Sequence, residues 1–474
     1  MHKREHYIGG AWRPAEGQLA HRVVDPSSEE VIAQVAAATP REVAAACAAA
    51  AQAFEAWQAT SVAERCTVLD RVADGLAERA AQLTELIAAE VGMPVRMGAR
   101  LQVANPVEHW RRTARAAREF GWSEQIGNSL VEQVPVGVVG AVTPWNFPLH
   151  QISLKLAPAL AAGCTVVLKP SEVAPLNAFV LAEVIHDAGL PPGVFNLVAG
   201  DGAVTGEALA LDRHVDALSF TGSTRAGRRV AGLAAAQIKR VALELGGKSA
   251  SVVLPDADLS AAVRGTLSAC FLNSGQACNA LSRLLVPRAR MDEAAQIAAA
   301  LAAGYALGPA HDPAARLGPL VSAGQRERVR GLIRSGLAEG ARLVCGGPEA
   351  PAHLPRGWFV QPTVFAEVRP DMRIAREEIF GPVLSILAYE DVDHAVALAN
   401  GTDYGLAAAV WSADEVAALA VARRLRAGQV EINGGAYNPL APFGGFKHSG
   451  LGREGGRYGL EEFLEPRALQ RRAA

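Results

Sequence analysis

The chain has 474 residues, half of them hydrophobic and a fifth charged, with a formal net charge of −2. That balance excludes the strong positive excess of a general nucleic-acid or anionic-membrane binder, and the length supplies a core large enough to fold without disulfides. The six scattered cysteines form no CxxC pair, so no zinc spacing or disulfide framework is visible and a reducing, cytoplasmic compartment is expected.

The start, MHKREHYIGGAW, carries charges but no apolar core, unlike a signal peptide. Thr39-Pro40-Arg41-Glu42 is a capping box with proline at the first helical position, and Ser61-Val62-Ala63-Glu64 is a second box. The second predicts a helix running toward Glu90, so the first third reads as helical. From about residue 131 the texture changes. Strands are predicted at 134–142, 164–168, 194–198, 217–221 and 240–245, with a helix over 175–188 closed by Gly189 and Pro191. The nearly apolar stretch 156–168 is too short to span a bilayer. The alternation resumes with a strand at 251–254, a helix from about 258, and strands near 284–286, 383–389, 406–411 and 428–433. Strand–helix alternation at this spacing predicts two parallel α/β units, with the last dozen residues as an edge strand or tail.

Several segments have the residue types that chemistry needs. Gly200-x-Gly202-x-x-x-Gly206 and Phe220-Thr221-Gly222-Ser223-Thr224-Arg225-Ala226-Gly227 each follow a strand and precede a helix, as dinucleotide-binding turns do and as ordinary turns do. Only six of the basic residues are lysines, so a retained lysine marks a place where a compact ammonium matters. Lys169 is one, in Lys169-Pro170-Ser171-Glu172 at the C-terminal end of a strand, where open α/β sheets bind ligands. Its rival reading is a surface salt bridge. Cys278, after Ser274-Gly275-Gln276-Ala277, is either a nucleophile or a buried small hydrophobe. Glu244, between leucines and before two glycines, is either a desolvated general base or the partner of Lys248. Asn146, pinned by Pro144 and Pro148, is either an oxyanion-holding amide or part of a rigid turn.

PWNFP (144–148), KPSE (169–172), FTGST (220–224), LELGGK (243–248), SGQxC (274–278), EEIFGPV (377–383) and PFGGFKxSG (442–450) occur in an order and at spacings that resemble the aldehyde dehydrogenase superfamily. The match runs from DPSSEE (25–30) to GREGG (452–456). The resemblance implies an α/β fold with a Rossmann-type cofactor domain (1–117 and 136–246), an α/β catalytic domain (247–446) and a small β oligomerisation element (118–135 and 460–474). It implies NAD-dependent oxidation of an aldehyde to an acid. Cys278 is then the nucleophile, Asn146 the oxyanion holder and Glu244 the base that hydrolyses the thioester. Trp145, Lys169, Glu172, Gly222, Ser223, Gly227, Glu378 and Phe380 are the implied cofactor contacts. Glu172 favours NAD over NADP, because a carboxylate bonds a free 2′-hydroxyl and repels a 2′-phosphate. Gln151, Leu154, Ala277, Asn279 and Tyr437 are the implied substrate contacts. No arginine is evident to grip a second carboxylate, and Leu154 with Ala277 suggests room for a medium-sized apolar or aromatic aldehyde. The partners expected are a small-molecule aldehyde and further copies of the chain, as a homodimer or homotetramer, with no nucleic acid, membrane or metal. A CoA-acylating variant and a non-redox thiol esterase are the alternatives; the first has no need of Glu244, and the second none of Lys169, Glu172 and Glu378.

Overall fold

A computed structural model describes residues 2–472. Both capping boxes form, at Thr39 before the helix Pro40–Gln58 and at Ser61 before Val62–Glu78. The second helix does not continue to Glu90. Arg79 leaves helical geometry (φ −95°, ψ 15°), and a separate helix Ala80–Val91 ends on Gly92. Residues 2–38, which offer no helix signals, form short strands instead, including Glu5–Ile8, Leu19–Asp25 and Glu30–Ala36.

Two sheets dominate. The first places, in order, Gly450–Leu451, Arg240–Glu244, Ala217–Thr221, Val138–Val142, Thr165–Lys169, Phe195–Leu197, Glu5–Ile8 and Ala11–Pro14. Its five central strands are parallel. The chain moves one way from 138–142 to 165–169 and 195–197, then returns to the other side of 138–142 for 217–221. This reversal leaves a crevice beyond the carboxyl ends of 138–142 and 217–221. The second sheet runs Arg342–Cys345, Thr363–Ala366, Val383–Tyr389, Arg283–Pro287, Ala250–Val253, Ala407–Trp411 and Gln429–Ile432. Apolar clusters pack on both of its faces.

The single strand expected over 134–142 is two strands in different sheets. Ser129–Pro135 pairs with Leu464–Gln470 in a small antiparallel sheet, and Val138–Val142 starts the core of the first large sheet. Gly137 makes the break at φ +125°, where a Cβ would strike the Asp216 carboxylate that accepts the Val138 N–H at 2.8 Å. Residues 473 and 474 of the expected oligomerisation tail lie outside the described residues. Among the described residues no helix is long and apolar enough to cross a membrane.

Candidate active site

The crevice at the sheet reversal is lined on one side by Pro144, Trp145 and Asn146, which follow the strand Val138–Val142, and on another by Thr221, Gly222 and Ser223, which follow Ala217–Thr221. Glu244, at the end of the next strand, closes its floor with Gly246 and Gln151. The second sheet supplies the opposite wall. The loops that enter its adjacent strands Arg283–Pro287 and Val383–Tyr389 present Cys278 and the pair Glu378 and Phe380.

The loop before Cys278 is built by backbone geometry that few residues adopt. Asn273, Ser274 and Gly275 have φ of 49°, 55° and 76° in succession. A side chain at Gly275 would strike the backbone of Gly381 and Pro382, so only glycine lets the loop approach so closely. The turn is held by side chains. Asn273 Nδ2 donates to the Asn146 carbonyl at 3.0 Å, Ser274 Oγ donates to the Gly318 carbonyl at 2.8 Å, and Gln276 Oε1 accepts the Val321 N–H at 2.9 Å. Asn146 Nδ2 donates to the Gln276 carbonyl at 3.1 Å, which ties the amide to the loop that carries Cys278. An amide nitrogen carries two hydrogens, so one remains for a ligand.

Cys278 is half-buried where Cys47, Cys66, Cys164 and Cys270 are buried. Burial pushes its thiol well above the ordinary range, and the carboxylates of Glu244, Glu378 and Glu454 push it further. Glu244 is raised in turn, by burial first, then by Glu454 and Glu378, against the opposing charge of Lys155. Among the described residues the Cys278 thiol is the one hydrogen-bonding neighbour that acts on the Glu244 carboxyl, and it lowers it. Lys248 makes no ion pair with Glu244; its buried ammonium is unpartnered, and burial lowers it to about 7. The cation nearest in effect is Lys155, paired with Glu454 at 2.7 Å in a small cavity that also touches Glu244 and Leu154.

Polar, aromatic and glycine residues complete the cleft. Glu378, raised by burial to about 7, accepts the Gly247 N–H at 3.1 Å. A Cβ at Gly246 would run into its carboxyl, and one at Gly247 would lie 2.6 Å from the Cys278 carbonyl. Phe380, at φ +59°, stands edge-on to Trp145 with ring centroids 5.4 Å apart. Ser223 caps the helix Thr224–Ala235, whose N-terminus opens toward Gly222 and the cleft. Backbone N–H groups at such an end receive phosphate oxygens. Gly227 lies one turn inside that helix, where a Cβ would come 2.5 Å from Leu245; it permits close helix–strand packing and does not line the cleft. Lys169 lies outside the lining around Cys278, donating to Glu172 at 3.2 Å and to the Gly200 carbonyl at 2.9 Å. The Gly202–Gly206 turn packs over the Lys169 stem, as a neighbouring wall.

Of the implied substrate contacts, Gln151 faces the cleft and accepts the Thr221 hydroxyl at 3.4 Å. Leu154 is buried at 4%, in the inner cavity and not at an entrance. Ala277 is buried, Asn279 half-buried, and Tyr437 exposed. Sequence reasoning missed Gln325 and Arg328, which also line the cleft. Gln325 Nε2 donates to the Phe380 carbonyl at 2.8 Å, and Arg328 donates to the Glu378 carbonyl at 3.0 Å. Nothing in the helix Ala323–Ala338 marks either by local pattern.

A family model described as aldehyde dehydrogenase family matches residues 12–469. Over 467 residues the chain is 46% identical to 3-succinoylsemialdehyde-pyridine dehydrogenase of a Pseudomonas species, covering 98% of each chain. Among solved structures, a mutant aldehyde dehydrogenase C of Pseudomonas syringae in complex with NAD+ and octanal is 46% identical, with a TM-score of 0.97 and 98% and 96% of the two chains covered. A Mycobacterium tuberculosis aldehyde dehydrogenase complexed with NAD+ is 42% identical, again with a TM-score of 0.97, covering 100% of this chain and 99% of that one.

Proposed function

The chain belongs to the aldehyde dehydrogenase family, and we propose that it is an NAD-dependent enzyme that oxidises a medium-sized aldehyde to its acid through Cys278. The observation that carries this reading is a half-buried thiol opening into the cleft, with an amide tied to its loop and a buried carboxyl beside it. Glu378, Gly222, Ser223, Trp145 and Phe380 would hold the dinucleotide around the reacting centre, with Lys169 and Glu172 toward its adenine ribose. Glu172 favours NAD over NADP. The dinucleotide, when bound, supplies the hydride acceptor that converts the thiohemiacetal to a thioester.

The residues of the chain do the rest. Cys278 as thiolate attacks the aldehyde carbon, and the free hydrogen of the Asn146 amide, with the Cys278 N–H, holds the oxygen that becomes negative. The order of ionisation follows from the repulsion between Cys278 and Glu244. Two like charges so close and so buried do not coexist cheaply. Cys278 ionises while Glu244 is protonated. Once the sulfur is acylated and neutral, Glu244 ionises and takes a proton from the water that hydrolyses the thioester. Among the described residues no cation or backbone N–H occupies the Glu244 oxygens, which leaves the carboxylate able to accept that proton. The relatives support the class and spread the substrate: one is named for a pyridyl semialdehyde, the other bound octanal. The small sheet of Leu464–Gln470, Ser129–Pro135 and Ser123–Ile126 leaves edge strands free for a further copy of the chain, in keeping with an oligomer.

The test is absorbance at 340 nm with NAD and a panel of aldehydes. Aldehyde-dependent reduction that Cys278→Ser abolishes is the expected result; no signal with either nicotinamide cofactor overturns the reading.

A further inference from the structure

The helix Leu176–Asp187 begins directly after the loop that follows Lys169 and carries Ser171 and Glu172, and it has no side-chain cap of its own. Its N-cap position is Pro175, whose side chain has no oxygen to accept a first-turn N–H. The acceptor comes from a distant part of the chain. Glu90, fully buried in the last turn of the helix Ala80–Val91, lays its carboxyl across the free helix end. Its Oε2 accepts the Leu176 N–H at 2.8 Å. Its Oε1 accepts the Asn177 N–H at 3.2 Å and Asn177 Nδ2 at 2.5 Å. The amide nitrogen of Asn177 also donates to the Ala174 carbonyl at 2.9 Å, so both of its hydrogens are used.

Asn177 therefore joins the buried carboxyl to the loop. Two side chains grip that loop from its two ends: Lys169 Nζ holds Glu172 at 3.2 Å, and Asn177 holds Ala174, two residues further on. Between them Ser171 Oγ accepts the Val173 N–H at 3.2 Å. The Glu172 side chain is 38% exposed, whereas Ala174 and Asn177 are fully buried, so an exposed carboxylate is carried on a buried stem. A buried carboxylate is a costly cap. Burial raises Glu90 to about 7, and what pulls it back is the set of donors on Leu176 and Asn177; among the described residues no cation pairs with it. A serine or aspartate at position 175 would cap the helix more cheaply, but it would fix the helix alone. The Glu90–Asn177 pair fixes the helix end and the loop together, against a second helix.

We propose that Glu90, acting through Asn177, is a positioning residue for the cofactor: it fixes the loop that presents Glu172 and so sets the affinity for NAD. The proposal rests on the reading that Lys169 and Glu172 face the adenine ribose. A loop that is not held has to be ordered when the dinucleotide binds, and that ordering is subtracted from the affinity. Glu90 itself is fully buried and reaches the ligand only through the loop. The chemistry at Cys278, on a loop that enters the other large sheet, is left unchanged once NAD is bound.

The experiment measures the Kd of NAD by titration calorimetry, and KM for NAD and kcat with saturating hexanal, for the wild type, Glu90→Gln, Asn177→Ala, Glu172→Ala and the double variant Glu90→Gln/Glu172→Ala. Glu172→Ala is expected to raise Kd about fivefold or more, as the loss of a hydrogen bond to a charged group does. Glu90→Gln and Asn177→Ala are each expected to raise Kd and KM for NAD about threefold or more, with kcat within about twofold of wild type. Because Glu90 acts through the loop that carries Glu172, adding Glu90→Gln to Glu172→Ala should weaken NAD by less than about 1.5-fold further. Thermal unfolding shows whether each variant is folded; Asn177→Ala leaves Glu90 both of its backbone donors and keeps the test open if Glu90→Gln is not folded. Folded variants with wild-type affinity, a loss that falls on kcat and not on KM, or losses that simply multiply in the double variant overturn this proposal alone. Wild-type affinity in Glu172→Ala overturns the placement of the adenine ribose, and this proposal with it.

Discussion

Replacing Glu244 by glutamine separates the two halves of the reaction. The side chain keeps its shape but can no longer take a proton. Among the described residues only the Cys278 thiol acts on the carboxyl as a hydrogen-bonding neighbour, and the glutamine oxygen can still accept from it. Removing that carboxylate also removes a negative charge that pushes the Cys278 thiol upward, so the thiolate becomes easier to form. Acylation and the first hydride transfer therefore survive. Hydrolysis loses its general base, a contribution of about 10²–10⁴ in rate, or about 3–5 kcal/mol of barrier. Stopped-flow absorbance at 340 nm should record a burst approaching one equivalent of reduced cofactor per site, then a steady rate at least about a hundredfold below wild type. Mass spectrometry should find the enzyme heavier by the acyl group. Unchanged steady turnover would refute the role given to Glu244, and a missing burst would refute the order of ionisation.

Other outcomes follow from the same geometry. Glu244 works ionised and its buried carboxyl sits above the ordinary glutamate value of 4.5, so hydrolysis-limited kcat should fall as pH drops through a midpoint above 4.5; a flat profile down to that pH contradicts the assignment. Iodoacetamide should inactivate the enzyme by alkylating Cys278, at a rate that climbs with pH through an apparent value above 9, and Glu244→Gln should move that climb to lower pH. Peptide mapping that finds full inactivation with Cys278 unmodified would count against it. Lys155→Met leaves Glu454 without its partner in a buried cavity and should cost about 3–5 kcal/mol of stability. Denaturant unfolding with no measurable loss would mean that water already reaches the pair.

Much of the fold is legible locally. Thr39 and Ser61 each announce a helix because a hydroxyl followed three residues later by glutamate satisfies the free N–H groups of a first turn. The parallel strands stand out because strands buried on both faces read as unbroken apolar runs. Where local signals conflict or fall silent, tertiary geometry decides. The run 134–142 reads as one strand, yet Gly137 turns it between two sheets at the Asp216 carboxylate, 79 positions away in the chain. Gln325 and Arg328 sit on an ordinary helix and reach the cleft only through the packing of the second sheet.

The same division runs through the site. The sequence by itself determined the inventory: a cysteine after a glycine turn, a glutamate among leucines, an asparagine between prolines, and the ordered motifs that resemble one family. Each of those is a short-range pattern, fixed by a few neighbouring residues and carried in a handful of letters. Only the tertiary structure decided which of them meet. It placed Glu244 where its charge acts on Cys278, set Lys155 against Glu454 and left Lys248 apart. Distance, burial and the absence of competing partners control what a charged or hydrogen-bonding group does. Those are properties of the packed chain, and no local run of residues encodes them.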